Sequence, residues 1–173
     1  TEQIDVIDKQ GRVLYVRERA LVERHNLLHR AVGVMVHNTD GEIYVHQRSP
    51  HKSVNPSKYD MLVGGLVLSG ESSEVAARNE VGEELGLVSS QPEYMFTVPF
   101  LGSRNRCLVD MYRVEVSDGS AIKHNDGEVV WGEFKTLAEL GAMLENEAFV
   151  PGGLACWKAI CERDLHRKHL REE

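Results

Sequence analysis

The chain has 173 residues, enough for one packed domain and too few for two of ordinary size. Hydrophobic residues make up 42% and charged residues 27%, an ordinary globular composition, and 27 acidic against 20 basic residues leave a net charge of −7. That balance excludes steering toward a nucleic-acid polymer or an anionic membrane by the overall field, so an anionic small molecule would need a local cation to hold it.

In chain order, residues 4–8 and 12–16 read as two short strands joined by a turn at Lys9–Gly11. Residues 18–27 fit a short helix or a loop, and 31–38 with 42–48 flank the turn Asn38–Gly41 as a hairpin. A polar loop with Pro50 and Pro56 covers 49–58, and 59–70 mixes strand formers with three glycines. The pattern is helical from Glu71 to Leu85, with Gly86 as its stop. Strands follow at 93–101 and 105–116, a polar loop at 117–127, a strand at 128–134, and helices at 137–146 and about 153–169. Strands mixed with helices in this way imply a sheet covered on more than one face, within one domain over 1–173 that carries a short β extension at about 1–28.

Cys107, Cys156 and Cys161 are odd in number and match no zinc spacing, so reduced thiols are expected. The chain opens with no charged-then-apolar segment, and no apolar run reaches the roughly 20 residues that span a bilayer, so the expected location is cytoplasmic.

The chemistry concentrates in residues 64–87, GGLVLSGESSEVAARNEVGEELGL. Glu80, Glu83 and Glu84 stand at i, i+3 and i+4, which puts three carboxylates on one face of a helix within a single turn. Like charges so placed repel, and hard oxygen donors clustered this way suit magnesium or manganese. On its own such a cluster is also what a solvated acidic face looks like. Gly64, Gly65 and Gly70 precede it, and they let the main chain approach an anion or metal closely. Glu71 is expected in the first helical turn, where the helix dipole favours a carboxylate.

This stretch resembles the Nudix signature: Gly65, then Glu71, then Asn79-Glu80, Val81, Gly82, Glu83-Glu84, Leu85, Gly86 and Leu87. Every fixed position matches except Asn79, which stands where that family has arginine. The resemblance implies an α/β/α sandwich with a mixed sheet between helices, and a metal-dependent hydrolase that cleaves a diphosphate linkage in a nucleoside diphosphate derivative or related organic pyrophosphate. By the same resemblance Glu80 and Glu84 are the principal ligands of Mg2+ (or Mn2+), Glu83 holds a further ion, and the Gly64 carbonyl completes the site. Glu71 and Asn79 are then residues that orient the ligand glutamates. An amide at 79 can hydrogen-bond Glu71 but cannot offset its charge, and Arg78 lies about 100° further round the helix. A non-catalytic nucleotide-binding or sensor module is therefore the alternative.

The likeness extends to 5–14, 25–49 and 56–65, which look like the Nudix subgroup related to isopentenyl-diphosphate isomerase. That isomerase needs a cysteine and a histidine where this chain has Gly64 and Leu66, which argues against isomerisation. Glu128, and less strongly Asp126, stand where a distal loop commonly delivers a carboxylate as base or ligand; the ordinary reading of Asn125-Asp126-Gly127 is a polar turn. Glu80, Glu83 and Glu128 are all general-base candidates, since coupled carboxylates do not keep individual identities. His25 and His29 have a ligand spacing if their segment is helical, though histidines are more often buried hydrogen-bonders. Arg48, Lys52 and Lys58 surround the loop before the box and are candidate phosphate binders; solvated loop cations are the plain alternative. Trp131, Trp157 and Phe134 are expected in the core. The mixed charges of the last helix, Glu162, Arg163, Asp164, Arg167, Lys168 and Arg171, suit a solvated face. The expected partner is a small-molecule diphosphate, and because many relatives pair, a homodimer is compatible with the resemblance.

Overall fold

The computed structural model describes residues 1–125 and 127–166; Asp126, Arg167, Lys168, Arg171 and the expected end of the last helix lie outside the described residues. Strand β3 (His29–Asn38) is the spine. It lies parallel to β8 (Arg106–Val116), in register from His29↔Cys107 to Asn38↔Val116. Its other edge takes β6 (Leu62–Leu66) antiparallel, from Ala31↔Leu66 to Met35↔Leu62, and β7 (Glu93–Leu101) pairs antiparallel beyond β8.

Alternation along β3 and β8 sends side chains to both faces of this mixed sheet. On one face Val32, Val34, Val36, Tyr112 and Val114 pack with Ala76, Ala77, Val81 and Leu85 of α2 (Ser73–Leu85). On the other, Met35, Val109 and Met111 pack with Cys156, Trp157 and Ile160 of α4 (Pro151–Glu162) and Leu140 of α3 (Leu137–Asn146). The result is the expected α/β/α sandwich. Trp157 and Phe134 belong to these two layers, and Trp131 packs edge-on against Tyr59, ring centroids 5.7 Å apart.

The 31–48 hairpin turns as expected, with the Asn38 side chain accepting from the amides of Asp40 (3.1 Å) and Glu42 (2.9 Å) and Gly41 at φ 79°. Its strands then part. β4 (Ile43–Arg48) shares only the pair His37↔Ile43 with β3, because β6 already occupies that edge. β4 turns instead to β9 (Val129–Lys135), paired from Ile43↔Lys135 to Arg48↔Val129, and to the two-residue β5 (Tyr59–Asp60).

At the start of the chain β1 (Gln3–Ile7) and β2 (Val13–Glu18) form a separate two-stranded sheet, followed by the short helix α1 (Arg19–Arg24). Ile4, Val6 and Val22 fix them over Leu66 and Leu68. His25 caps α1 and His29 opens β3, so the two histidines do not share a helix face. The cysteines are free, with Cys107 and Cys156 buried. Among the described residues no helix is long and apolar enough to cross a membrane.

Helix α2 begins two residues later than the sequence pattern indicates. Ser72 caps it by accepting the Val75 amide at 3.2 Å, so Glu71 lies before the helix and not in its first turn. Gly70, at φ 83°, makes the turn that separates Glu71 from β6. The start of α2 is tied to the sheet by Asp110 on β8, only 6% exposed, which accepts from Arg30 at 3.1 and 3.2 Å, from Thr97 at 2.6 Å and from the Ser73 hydroxyl. Removing this carboxylate takes a partner from the Arg30 guanidinium and from the Ser73 and Thr97 hydroxyls, of which Thr97 keeps Tyr94 at 2.7 Å. Asp110→Ala is expected to lower the unfolding free energy by about 3–5 kcal/mol, read from urea denaturation, with Asp110→Asn losing less.

Candidate active site

The site forms where the second half of α2 faces β6. The residues Gly64 and Gly65 make this approach possible. A Cβ on Gly65 would collide with the Glu80 carboxylate, and one on Gly64 would strike the Val32 carbonyl oxygen of β3. Glu80 thus lies directly over the glycine backbone of β6, with Glu84 one turn on and the more exposed Glu83 beside them. These are hard oxygen donors of the kind magnesium and manganese take. Among the described residues no three acidic, histidine or cysteine side chains are already drawn into a closed metal cage.

The electrostatics follow from this crowding. Burial, then the charge of Glu83, raises Glu80 to about 7, with Glu128 and Glu71 adding to it and Arg19 opposing. Burial raises Glu84 to about 8, reinforced by Glu80, Asp60 and Glu128 and opposed by Arg48. The helix contributes nothing to offset this, for its last turn holds no basic residue.

Glu71 is placed by its neighbours. One carboxylate oxygen accepts the Leu68 amide at 3.2 Å and the other accepts the Asn79 side-chain amide at 3.2 Å. Asn79 therefore does hydrogen-bond Glu71. Arg78 points elsewhere, to Glu74 at 3.1 Å, and does not stand in for the missing arginine.

The loop that carries Glu128 docks on the end of α2: Lys123 donates its amide to the Leu85 carbonyl at 2.8 Å and Asn125 to that of Glu84 at 3.3 Å. Glu128 forms an ion pair with Lys52, which joins the expected base to one of the expected phosphate binders. Arg48 donates to the carbonyls of Val54 (2.8 Å) and Asn55 (3.1 Å), so it braces the 49–58 loop. Lys58 lies in the same loop, its carbonyl accepting the Arg48 amide at 2.9 Å. The structure thus gathers Gly64, Glu71, Asn79, Glu80, Glu83, Glu84 and Glu128 around one end of α2. Arg48, within electrostatic reach of Glu84, and Lys52, paired with Glu128, stand beside it, both already engaged by protein groups, while Lys58 is tied to Arg48 through its backbone alone.

Three residues of this region, Asp60, His46 and Arg19, escaped the sequence reading. Asp60 on β5 sits against the Gly153 backbone of α4 and accepts the Leu62 amide at 3.1 Å; burial pushes its carboxyl up to about 7. His46, its cross-strand neighbour, is driven by burial down to about 4. Arg19, at the start of α1, is held by Glu2 and Glu23 at 2.9 Å each and is the cation that most opposes the rise of Glu80. None of the three lies in a recognisable motif. Only the tertiary fold, which brings Arg19 within electrostatic reach of Glu80 and Asp60 within reach of Glu84, draws them in.

Glu80, Glu84 and Asp60 all bind their proton more tightly folded than unfolded, where an ordinary carboxyl titrates near 4. The folded state then holds protons that the unfolded chain has lost, so stability falls as pH rises. In chelator-treated buffer the thermal midpoint is expected to decline as pH is raised from about 5 to about 8, and to decline less in Glu84→Gln; a scanning calorimetry series across that range checks both.

A family model for the NUDIX domain matches residues 27–156. An uncharacterized Nudix hydrolase of Streptomyces coelicolor is 35% identical over 161 residues, covering 92% of this chain and 88% of that protein. Among solved structures, a protein of Deinococcus radiodurans superposes with a TM-score of 0.72 at 24% identity, covering 86% of this chain and 92% of its own. The NUDIX domain of Shewanella oneidensis NrtR, complexed with ADP ribose, gives a TM-score of 0.61 at 18% identity over 85% of this chain and 99% of that one. With the glutamates of α2 seated over the glycines of β6, these matches show that the chain belongs to the Nudix family and is a pyrophosphohydrolase of that type.

Proposed function

We propose that this protein hydrolyses a diphosphate linkage in a nucleoside diphosphate derivative or related organic pyrophosphate, with magnesium or manganese as its cofactor. The observation that carries the reading is the set of mutually repelling carboxylates on one turn of α2, Glu80 and Glu84 half-buried and Glu83 exposed, seated over a backbone that has no side chains in the way. Glu80 and Glu84 would hold the cation, with Glu83 and the Gly64 carbonyl beside them, and the donor set fits a hard divalent ion. The bound ion would neutralise the diphosphate and lower the pKa of a water molecule.

The chain's own residues do the rest. Glu71, fixed by Leu68 and Asn79, holds the approach to α2 in shape. Glu128 faces the same region from its docked loop, with Glu80 and Glu83 as the other candidates to accept the proton of water. Lys52 is paired with Glu128 and would be the cation for which an incoming phosphate competes. Arg19, brought over by α1, is a second cation within electrostatic reach of Glu80.

The complex of the Shewanella oneidensis NrtR domain with ADP ribose supports a nucleoside diphosphate derivative as the ligand class. Isomerisation of isopentenyl diphosphate is disfavoured by the backbone itself. The thiol it needs would have to replace Gly64, where any Cβ meets the Val32 carbonyl. A binding or sensor module is the second reading, and Asn79 in place of arginine is the feature that favours it.

Hydrolysis is tested on a panel of nucleoside di- and triphosphates, dinucleotides, nucleotide sugars and isopentenyl diphosphate, with magnesium or manganese. Metal-dependent turnover should appear on at least one class and fall by roughly a thousandfold in Glu84→Gln. A sensor would instead bind a nucleotide in titration calorimetry and return it uncleaved. Glu71→Gln is expected to cost about 10–100-fold in turnover. Asn79→Arg, which adds the charge Glu71 lacks, should raise turnover by up to roughly tenfold, measured by steady-state kinetics at saturating metal.

A further inference from the structure

Glu128 is delivered by a loop, and a group that takes part in chemistry loses most of its effect when it is misplaced by about 1 Å. The loop's backbone bonds to the last carbonyls of α2 come from Lys123 and Asn125, both exposed, where water competes for them. His124 lies between these two and engages the opposite side of the site. Its Nε2 is hydrogen-bonded to the hydroxyl of Tyr44 on β4.

Tyr44 is a firm anchor. It is only 6% exposed, and its ring packs edge-on against its cross-strand neighbour Phe134 on β9, centroids 5.0 Å apart. Its tip passes over Gly132, where a Cβ would strike both the hydroxyl and His124 Nε2. Gly132 is thus the slot in which the two side chains meet. Ile122, just before them, packs into the apolar layer behind α2. From His124 onward the chain has little freedom. The amides of Glu128 and Val129 both return to the Asn125 carbonyl, at 2.9 and 3.0 Å, and the Glu128 carbonyl accepts the Ser49 amide at 3.0 Å. A fixed His124 therefore fixes Glu128.

We propose that His124 is a positioning residue of the active site that acts through Glu128, its bond to Tyr44 tying the loop to β4 while the neighbouring amides tie it to α2. Both sides of the site are then referred to one point, and Glu128 is located against each. This role presupposes the hydrolytic function proposed above. The anchor suits a site that exchanges ions. Burial pushes Tyr44 up to about 12 and His124 below the ordinary histidine range, so near neutral pH the pair carries no charge. Lys52, the other group that grips Glu128, is a cation that a phosphate can draw away; the Tyr44–His124 bond offers an incoming anion no such charge.

Hydrogen exchange of the full chain, read by mass spectrometry without substrate or metal, is the first test. Tyr44→Phe, which keeps the ring against Phe134, and His124→Ala should each speed exchange across residues 122–129 by roughly tenfold. Exchange across α2 and β3 should stay at the wild-type rate, and the double variant should add nothing to either single one. Steady-state kinetics on a substrate found with the panel is the second. His124→Ala should lower kcat by about 10–100-fold with KM little changed, and His124→Gln, whose amide can reach the same hydroxyl, should recover most of it. In a Glu128→Gln background His124→Ala should cost nothing further. Unchanged exchange in 122–129 overturns the proposal, as does faster exchange shared with α2 and β3, which makes the contact a general support of the fold. Wild-type kcat in His124→Ala, or a loss that multiplies with that of Glu128→Gln, also overturns it. If the wild-type protein cleaves no compound, the hydrolytic reading fails by itself, and the exchange measurement alone decides whether His124 holds the loop.

Discussion

The closeness of α2 to β6 is the constraint on which the site depends. Gly64 and Gly65 are not needed here for unusual dihedrals; neither has a positive φ. They are needed for the space a side chain would fill. One lets β6 lie against the Val32 carbonyl of β3, and the other lets Glu80 lie against β6. The sheet, the strand and the helix are thereby stacked with no side chain between backbone and carboxylate. Ala76, Ala77, Val81 and Leu85 seal the apolar side of α2 to the sheet, and Asp110 fixes its first turn through Ser73. The carboxylates at its other end are held by this packing, since they have little mutual attraction of their own.

The box residues were legible because their spacing is local. Three glutamates within one turn and glycines a fixed distance before them are readable without knowing any tertiary contact, and the sandwich follows from alternation in 31–38 and 105–116. The differences between pattern and structure have equally local causes. A carboxylate suits a first helical turn, which points to Glu71 in the helix, yet Ser72 takes the cap and leaves Glu71 in the turn that Gly70 makes. The 31–48 hairpin was half right. Turn chemistry at Asn38–Gly41 is written in the sequence, but the later arrival of β6 on the same edge of β3 is not. Asp60 and Arg19 were invisible for the same reason, since their meaning comes only from what β5 and α1 are packed against. Arg48 and Lys52 are legible as cations before the box, while the groups that engage them, loop carbonyls and Glu128, depend on how 49–58 folds back.

The two sides of the site differ in construction. One is α2 over β6, elements adjacent in sequence. The other is β4 with β5 and β9, drawn from distant parts of the chain, and it supplies Arg48, Asp60 and the loop of Glu128. The docking of Lys123 and Asn125 on the last carbonyls of α2 joins the two sides through backbone groups, which needs no particular side chain.

Those carbonyls lie at the negative pole of the helix, and α2 concentrates its acidic residues toward that pole with no basic residue in its last turn. Charge preference along a helix runs the other way. The element that organises the site is therefore locally frustrated: its packing face agrees with the fold, while its polar face opposes it. Such a conflict persists only where the surrounding structure outweighs it. Here the core behind α2 does so, and the frustration is confined to the one turn at which an outside positive charge would relieve it.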